Sequence, residues 1–130
     1  MQNAQNDRAQ VTQTIDHYFQ GMYRSNGPDI EACFHPNATV TGYRGDGGEL
    51  VEMDYAGFHK FVTSQPPPAE NGEPFEMTID SLDIKGRAAM VRVTDRYLGK
   101  RFTDYLLLLK TDEGWRIYNK VWHAEPIAEG

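Results

Sequence analysis

In the first part of the chain, apolar residues recur every three or four positions, which predicts amphipathic helices that pack on a core. The first helix is expected from about Asp7 to Arg24. Gly27 and Pro28 separate it from a short second helix, which ends before Pro36 because proline disfavours helical geometry at the preceding residue. A third short helix follows Asp54, a suitable N-terminal cap. The three buried stripes are Val11, Ile15, Tyr18, Phe19 and Met22, then Ile30, Cys33 and Phe34, then Tyr55, Phe58, His59 and Val62.

Later segments are rich in β-branched residues and alternate between apolar and polar positions, which predicts strands. Short strands are expected over 38–43 and 50–53, joined by the glycine-rich turn Gly45-Asp-Gly-Gly48. Four longer strands follow, with short separators at Lys85-Gly86, Gly99-Lys100 and Thr111-Asp-Glu-Gly114 that are typical of an antiparallel meander. They are expected over 75–84, 87–98, 102–110 and 115–123. Helices followed by long hairpins predict an α+β fold, with the helices on one face of a curved, mostly antiparallel sheet.

Alternation along the long strands predicts which side chains point towards the helices. Asp95 and Asp104 are expected to lie opposite each other on this inner face. Asn119 and His123 are expected to point inward from the adjacent last strand. The complete inward set is Val91, Val93, Asp95 and Tyr97, then Phe102, Asp104, Leu106 and Leu108, then Trp115, Ile117, Asn119, Val121 and His123.

Two stretches carry a resemblance to a known superfamily: Phe34-His-Pro-Asn-Ala38, and residues 102–110 followed by 114–120. Over about residues 8–123 the chain resembles the nuclear-transport-factor-two-like superfamily, in its putative lumazine-binding branch beside the SnoaL-like polyketide cyclases. The resemblance implies a cone-shaped roll, in which helices close one face of a strongly bent sheet around a pocket and dimers pair through the other face. The superfamily includes isomerases, dehydratases, cyclases and carriers, so it implies no single chemistry.

Length and charge restrict the classes of partner. The 130 residues fit a single domain over 1–130, with residues 1–7 expected as a loose N-terminal extension. With 13 Lys and Arg against 19 Asp and Glu, the net charge of −6 argues against nucleic acid and against an anionic membrane surface. The polar start and the lack of a long apolar run predict neither a signal peptide nor a membrane span, so a cytoplasmic location is expected.

The paired aspartates are the first candidates for chemistry. Two nearby carboxyl groups in an apolar cone share a proton, because burial and mutual repulsion favour the protonated form, and such a pair serves as general acid and base. The structural alternative is that Asp95 and Asp104 only hold the rim of the sheet through ion pairs or backbone contacts. His123 is either a base oriented by Asp104 or an end-of-strand residue that faces water.

The candidate ligand contacts come from several elements. Asn119 either orients a ligand carbonyl or satisfies neighbouring backbone groups. Tyr18 and His59 lie on helix stripes that face the sheet, so each either reaches the pocket with a polar tip or packs in the core. Tyr43 is expected at the opening. The expected aromatic wall consists of Tyr18, Tyr97, Phe102 and Trp115.

Neither a metal nor a cofactor is expected. No two of the four histidines lie at ligand spacing, and Cys33 is the only cysteine. The segment Gly45-Asp-Gly-Gly48 lacks the Lys and Ser/Thr ending of a phosphate-binding loop and does not precede a helix directly.

The resulting hypothesis is a homodimer that binds a small, partly apolar organic molecule. If it is an enzyme, we expect cofactor-independent isomerisation, dehydration or cyclisation by proton transfer through the aspartates and His123. The alternative is a non-catalytic interaction or structural dimer module. The outer sheet face is expected to form the dimer interface, or else to be a solvated amphipathic surface. Its expected residues are Tyr105, Tyr118 and Trp122, interleaved with Arg92, Arg96, Arg116 and Lys120.

Overall fold

The computed structural model describes residues 2–44 and 48–127, and only the backbone of residues 2–5. Its helices are α1 Gln2–Arg24, α2 Gly27–Cys33 and α3 Tyr55–Ser64. Its strands are β1 Phe34–Tyr43, β2 Leu50–Asp54, β3 Met77–Lys85, β4 Ala88–Tyr97, β5 Lys100–Thr111 and β6 Gly114–Pro126. Residues 45–47 of the expected glycine-rich turn lie outside the described residues.

The six strands form one mixed sheet in the order β2-β1-β6-β5-β4-β3. Neighbouring strands are antiparallel except β1 and β6, which are parallel. The sheet is strongly curved without closing, and the three helices pack on it, which confirms the predicted α+β architecture. In the part of the chain that the structure describes, none of the helices has both the length and the apolar character of a membrane span.

Helix α1 begins at Gln2, so residues 2–7 are helical where the sequence pattern predicts a loose extension. Asp7 is the reason that this turn is fixed on the sheet. Its Oδ1 accepts a 2.8 Å hydrogen bond from Lys110 Nζ and a 3.2 Å bond from Trp115 Nε1. The same contacts lower the pKa of Asp7, mainly through the bond from Lys110. The N-terminal part of α1 is thereby joined to β5 and β6.

The end of α2 and the start of α3 follow local rules. Phe34 leaves helical geometry two residues before Pro36 and begins β1. Asp54 caps α3, because its Oδ1 accepts a 2.8 Å hydrogen bond from the backbone N–H of Gly57. Phe58 and Val62 then point into the core, as the stripe predicts.

A β-bulge in β6 reverses the alternation of its side chains. Leu107 pairs with Asn119, whereas the next residue, Leu108, pairs with Ile117, so Tyr118 is an extra residue in β6. Its ring lies against that of His35, with 4.7 Å between centroids. Beyond the bulge, the opposite set of side chains faces inward.

The predicted orientation of the end of β6 is therefore wrong. Asn119 and His123, expected inward, lie on the outer face, and Val121 is 52% exposed. Lys120 and Trp122, expected on the outer face, point inward, and Lys120 is only 4% exposed. Before the bulge, Trp115 and Ile117 are buried as predicted.

The β4–β5 hairpin differs by a small shift in register. Its turn residues are Leu98 and Gly99, both with positive φ (51° and 77°), instead of Gly99 and Lys100. Tyr97 consequently pairs with Lys100, so Asp95 lies opposite Phe102 and not opposite Asp104. The inward-facing side chains of both strands are nevertheless as predicted. The cross-strand partner of each residue moves by two positions, and a shift of two leaves every side chain on the same face.

The outer face of the sheet carries a continuous exposed apolar patch, here called the outer patch. Its members are aligned across β5 and β6, since Tyr105 pairs with Val121. All are between 43% and 52% exposed. The outer patch consists of Tyr105, Leu107, Leu109 and Val121.

Candidate functional site

A cavity of about 410 Å³ lies between the inner face of the sheet and helices α1 and α3. Its wall is mostly apolar and aromatic, and the charged groups in it are few. The aromatic members come from five elements, namely α3, β1, β4, β5 and β6, because the curved sheet brings distant strands together. The side chains that line it include Phe58, Asp95, Tyr97, Phe102, Lys120 and Trp122.

Asp95 and Asp104 are diagonal neighbours on the inner face of β4 and β5. Asp95 lines the cavity, whereas Asp104 is fully buried behind the wall. Tyr18 Oη donates a 2.6 Å hydrogen bond to Asp104 Oδ2. The two aspartates are close enough to form a hydrogen bond with each other when one of them is protonated.

Burial raises the pKa of Asp95 well above its ordinary value. The negative charge of Asp104 and the hydrogen bond to it raise that pKa further, and the positive charge of Lys120 opposes them. Asp95 is therefore held towards its protonated form beside Asp104. Burial also raises the pKa of Tyr18, so its hydroxyl remains a hydrogen-bond donor to the pair.

Lys120 is a buried cation at the cavity wall. Its Nζ lies 4.7 Å from the ring centroid of Phe58, 5.1 Å from that of Tyr18 and 5.8 Å from that of Trp122. Helices α1 and α3 and strand β6 each contribute one of these rings. Such cation–π contacts offset part of the cost of burying an ammonium group.

Tyr97 supplies a second buried polar group at the wall. Among the described residues its hydroxyl has no hydrogen-bond partner. Burial raises its pKa, with smaller contributions from the negative charges of Asp95 and Glu73, so the phenol stays neutral. Its ring packs edge-on against Phe102, with 6.2 Å between centroids.

The open end of the cavity lies beside the β4–β5 turn and the end of β1. Tyr43 and Leu98 are exposed there, 62% and 38% respectively. Arg44 and Lys100 add two cations to this mouth. Arg44 Nη1 lies 3.8 Å from a carboxylate oxygen of Glu49, and both side chains are largely exposed.

Four of the residues singled out from the sequence line the cavity, and these come from β1, β4 and β5. Two more, Tyr18 and Asp104, lie directly behind the wall and are joined by their hydrogen bond. The four lining residues are Tyr43, Asp95, Tyr97 and Phe102.

The other expected site residues lie elsewhere. His59 Nε2 is 2.9 Å from Glu31 Oε2, in a contact between α3 and α2. Trp115 is buried near the start of α1, where its indole N–H donates to Asp7. Asn119 Nδ2 donates a 2.8 Å hydrogen bond to Thr39 Oγ1. His123 is exposed on the outer face, which separates it from the aspartates.

Lys120 and Trp122 are the cavity residues that the sequence pattern assigns to the wrong face. One signal of the bulge was present in the neighbouring strand. Pro36 lies in β1, which has a partner on each side, and an interior proline indicates that the ladder is interrupted there. The β1–β6 register does shift at this level, between Phe34 and Thr39.

The described ranges, 2–44 and 48–127, contain neither a cluster of metal ligands nor an accessible thiol. No three His, Cys, Asp or Glu side chains there converge in a way that would hold a metal ion. Cys33 is buried, and burial raises the pKa of its thiol. Its Sγ donates a 3.4 Å hydrogen bond to the carbonyl of Ile30, so it acts as a core residue.

Comparison with known proteins gives one family match. The model of a family described as "putative lumazine-binding" matches residues 6–123. No curated protein sequence matches the chain.

Solved structures with the same fold cover nearly all of the chain. An NTF2-like protein of unknown function from Methylobacillus flagellatus is 30% identical, over 92% of this chain and 93% of that chain, with a TM-score of 0.80. Another from Silicibacter pomeroyi is 25% identical, over 94% and 98%, with a TM-score of 0.81. A Streptomyces avermitilis protein described as a putative dehydratase of the NTF2-like family is 14% identical, over 97% and 99%, with a TM-score of 0.65.

Proposed function

We propose that this chain, which belongs to the "putative lumazine-binding" family of NTF2-like proteins, binds a small, largely apolar organic molecule in its internal cavity. The observation that carries the proposal is the placement of Asp95, a carboxyl group with a raised pKa, on a mostly apolar wall. The cavity volume of about 410 Å³ exceeds the ~300 Å³ typical of the smallest ligand sites. The aromatic side chains supply buried contact area, and the few polar groups fix the orientation of the ligand.

Proton transfer is the chemistry that this site favours if the bound molecule is also converted. Asp95 reaches the ligand, while Asp104 and Tyr18 form a buried hydrogen-bonded chain behind it. A carboxyl group whose pKa is raised by burial serves as either acid or base. Isomerisation, dehydration and cyclisation all use such a group. This chain matches the family model, and its fold also occurs in a protein described as a putative dehydratase. His123 has no part in this version of the mechanism, because it is on the outer face.

The outer patch supports a homodimer. Its exposed Tyr105, Leu107, Leu109 and Val121 form one apolar surface across β5 and β6. A contiguous patch of this kind is typical of an interface that is covered by a second chain. A structural or interaction role for the dimer is the second candidate function, and the outer patch is the observation that favours it.

Cavity filling separates binding from a purely structural role. Ala124 lines the cavity, whereas Ala88 is exposed at the start of β4. We expect the protein to bind 2-naphthoate or its neutral amide, 2-naphthamide, in isothermal titration calorimetry. Ala124→Phe should weaken that binding at least tenfold, and Ala88→Phe should leave it unchanged. Native mass spectrometry of the purified protein provides a second measurement, because a retained small molecule would reveal the natural class of ligand.

Two results would contradict the proposal. The first is that neither naphthalene probe binds at millimolar concentration and the purified protein retains no small molecule. The second is that a probe binds equally well to Ala124→Phe, which would place its site outside the cavity. In either case the structural dimer would become the better explanation of the fold.

A further inference from the structure

Lys120 is a buried cation whose surroundings favour the binding of an anion. It is 4% exposed and lines the cavity. Within the described part of the chain, three aromatic rings surround its Nζ and no hydrogen bond or ion pair holds it, although its charge is close enough to Asp95 to oppose the rise in the pKa of that carboxyl group. An ammonium group has three N–H donors, and a ring face replaces a true acceptor only in part.

Lys110 shows how the same fold treats another lysine of the sheet. Its side chain is 38% exposed, yet its Nζ forms a 2.8 Å ion pair with Asp7. The more accessible lysine therefore has a carboxylate in direct contact, whereas among the described residues the more deeply buried one has no carboxylate at ion-pair distance. An unpaired buried charge is costly, so a residue of this kind indicates that its partner is supplied by a ligand.

The charges around the cavity favour the same conclusion. The whole chain has a net charge of −6, but the cavity wall carries the cations Arg44, Lys100 and Lys120 and one acid, Asp95. Burial and the neighbouring Asp104 hold Asp95 towards its protonated form, which reduces the negative charge at the wall. Asp104 itself lies behind the wall and already accepts the hydrogen bond from Tyr18. The residues that line the cavity thus include more cations than acids, in a protein that is acidic as a whole.

We propose that the ligand is an organic acid whose carboxylate binds Lys120, with its apolar body against the rings of Phe58, Phe102 and Trp122. This inference rests on the proposed function, since it names the class of molecule that the cavity takes. The carboxylate replaces the missing acceptors of Lys120 Nζ, and Arg44 and Lys100 at the mouth favour the entry of an anion. Asp95 then faces the body of the ligand as a proton donor or acceptor.

A matched pair of probes tests the charge without changing the shape. 2-Naphthoate and 2-naphthamide are nearly isosteric, and only the first is an anion at neutral pH. We expect wild-type protein to bind 2-naphthoate at least tenfold more tightly in isothermal titration calorimetry. Lys120→Met should remove this preference by weakening the carboxylate at least tenfold, while the affinity for the amide changes by less than threefold. Lys85→Met, which removes an exposed cation at the end of β3 away from the cavity, is the matched control and should retain the preference.

The outcomes distinguish this inference from the proposed function. Binding of 2-naphthamide as tight as that of 2-naphthoate would overturn the inference and leave the cavity as a binding site. A preference that survives Lys120→Met would overturn the role of Lys120. Absence of binding by both probes would count against both proposals. If Lys120→Met does not fold, Lys120→Gln, which retains a polar end without the charge, takes its place with the same expected loss.

Discussion

Tyr18 and Asp104 are 86 residues apart in the chain, and a 2.6 Å hydrogen bond joins the phenol of the first to the carboxylate of the second. The contact links α1 to the middle of β5, directly behind the wall of the cavity. Both side chains are completely buried. The hydrogen bond therefore has two effects, since it fixes the first helix on the sheet and holds the carboxylate that raises the pKa of Asp95.

Tyr18→Phe should destabilise the fold more than the same change at Tyr23. Loss of the Tyr18 hydroxyl leaves a buried carboxylate oxygen without its donor, which costs about 1–3 kcal/mol. Tyr23 Oη donates a 2.7 Å bond to the neutral carbonyl of Glu73 at a half-buried position, so Tyr23→Phe should cost about 1 kcal/mol or less. Urea unfolding at pH 7 measures both values. Equal losses would show that the Tyr18 bond contributes no more than an ordinary one.

Asp95→Asn should change how stability depends on pH. Because the pKa of Asp95 is raised in the folded state, the native protein holds a proton that the unfolded chain releases near its ordinary value of 3.8. The stability due to this group is complete below that value and is lost as the pH rises through the raised pKa. Asparagine mimics the protonated form, so the free energy of unfolding of the variant should increase relative to wild type as the pH rises from the ordinary pKa of 3.8 towards the raised pKa of Asp95.

Urea unfolding at a series of pH values gives the comparison for Asp95→Asn. Asp83→Asn, at an exposed position of β3, is the control and should show a difference from wild type that stays constant with pH. A flat difference for Asp95→Asn as well would mean that Asp95 is ionised in the folded protein at all these pH values. The shared proton, and the acid–base chemistry built on it, would then be excluded.

Gly42→Ala should disturb the cavity wall through Trp122. The two residues pair across β1 and β6, and a Cβ atom at Gly42 would clash with Cδ2 and Cε2 of the indole. The ring would have to move, at a cost of about 1–3 kcal/mol for an overpacked site. In a Trp122→Ala background the same glycine substitution should be nearly neutral. Urea unfolding of the four proteins forms a double-mutant cycle, and additive effects would contradict the contact.

Leu107→Lys should convert the expected dimer into a monomer, because it places a charge at the centre of the outer patch. Leu50→Lys is a matched control, since both leucines are 48% exposed and Leu50 lies on β2, away from the patch. Size-exclusion chromatography with light scattering at micromolar concentration reports the mass of each protein. A monomeric wild type, or a dimer that persists in Leu107→Lys, would exclude the outer patch as the interface.

The sequence pattern predicted the elements and the inner faces of β4 and β5, because there the alternation is uninterrupted. Val91 and Val93 fixed the face of Asp95 correctly, although the turn at Leu98 and Gly99 shifted its cross-strand partner from Asp104 to Phe102. The proximity of the aspartates survived this error, since the shift preserves the face and diagonal neighbours remain close. The acidic part of the site was therefore predictable from parity alone.

The basic part of the site was not predictable in this way. Alternation along β6 holds only as far as Ile117, and Tyr118 then adds a residue that no apolar pattern announces. Lys120 looks like a solvated residue in the sequence, because charged residues are seldom buried. Its burial depends on Phe58 and Tyr18, which come from two helices and meet only in the folded protein.

The bulge at Tyr118 determines which side chains in the second half of β6 face the cavity. With the bulge, Lys120, Trp122 and Ala124 face the cavity; if the same residues alternated without a bulge, Asn119, Val121 and His123 would take their places. Deletion of Tyr118 would leave Lys120 and Trp122 on the cavity side, because Ile117 and Asn119 already pair with the consecutive residues Leu108 and Leu107. A substitution that straightened the bulge without shortening the strand would instead replace a cation and an indole by an amide and an imidazole. Two proteins with β6 strands of equal length would then present different side chains to a ligand, according to whether the bulge is kept.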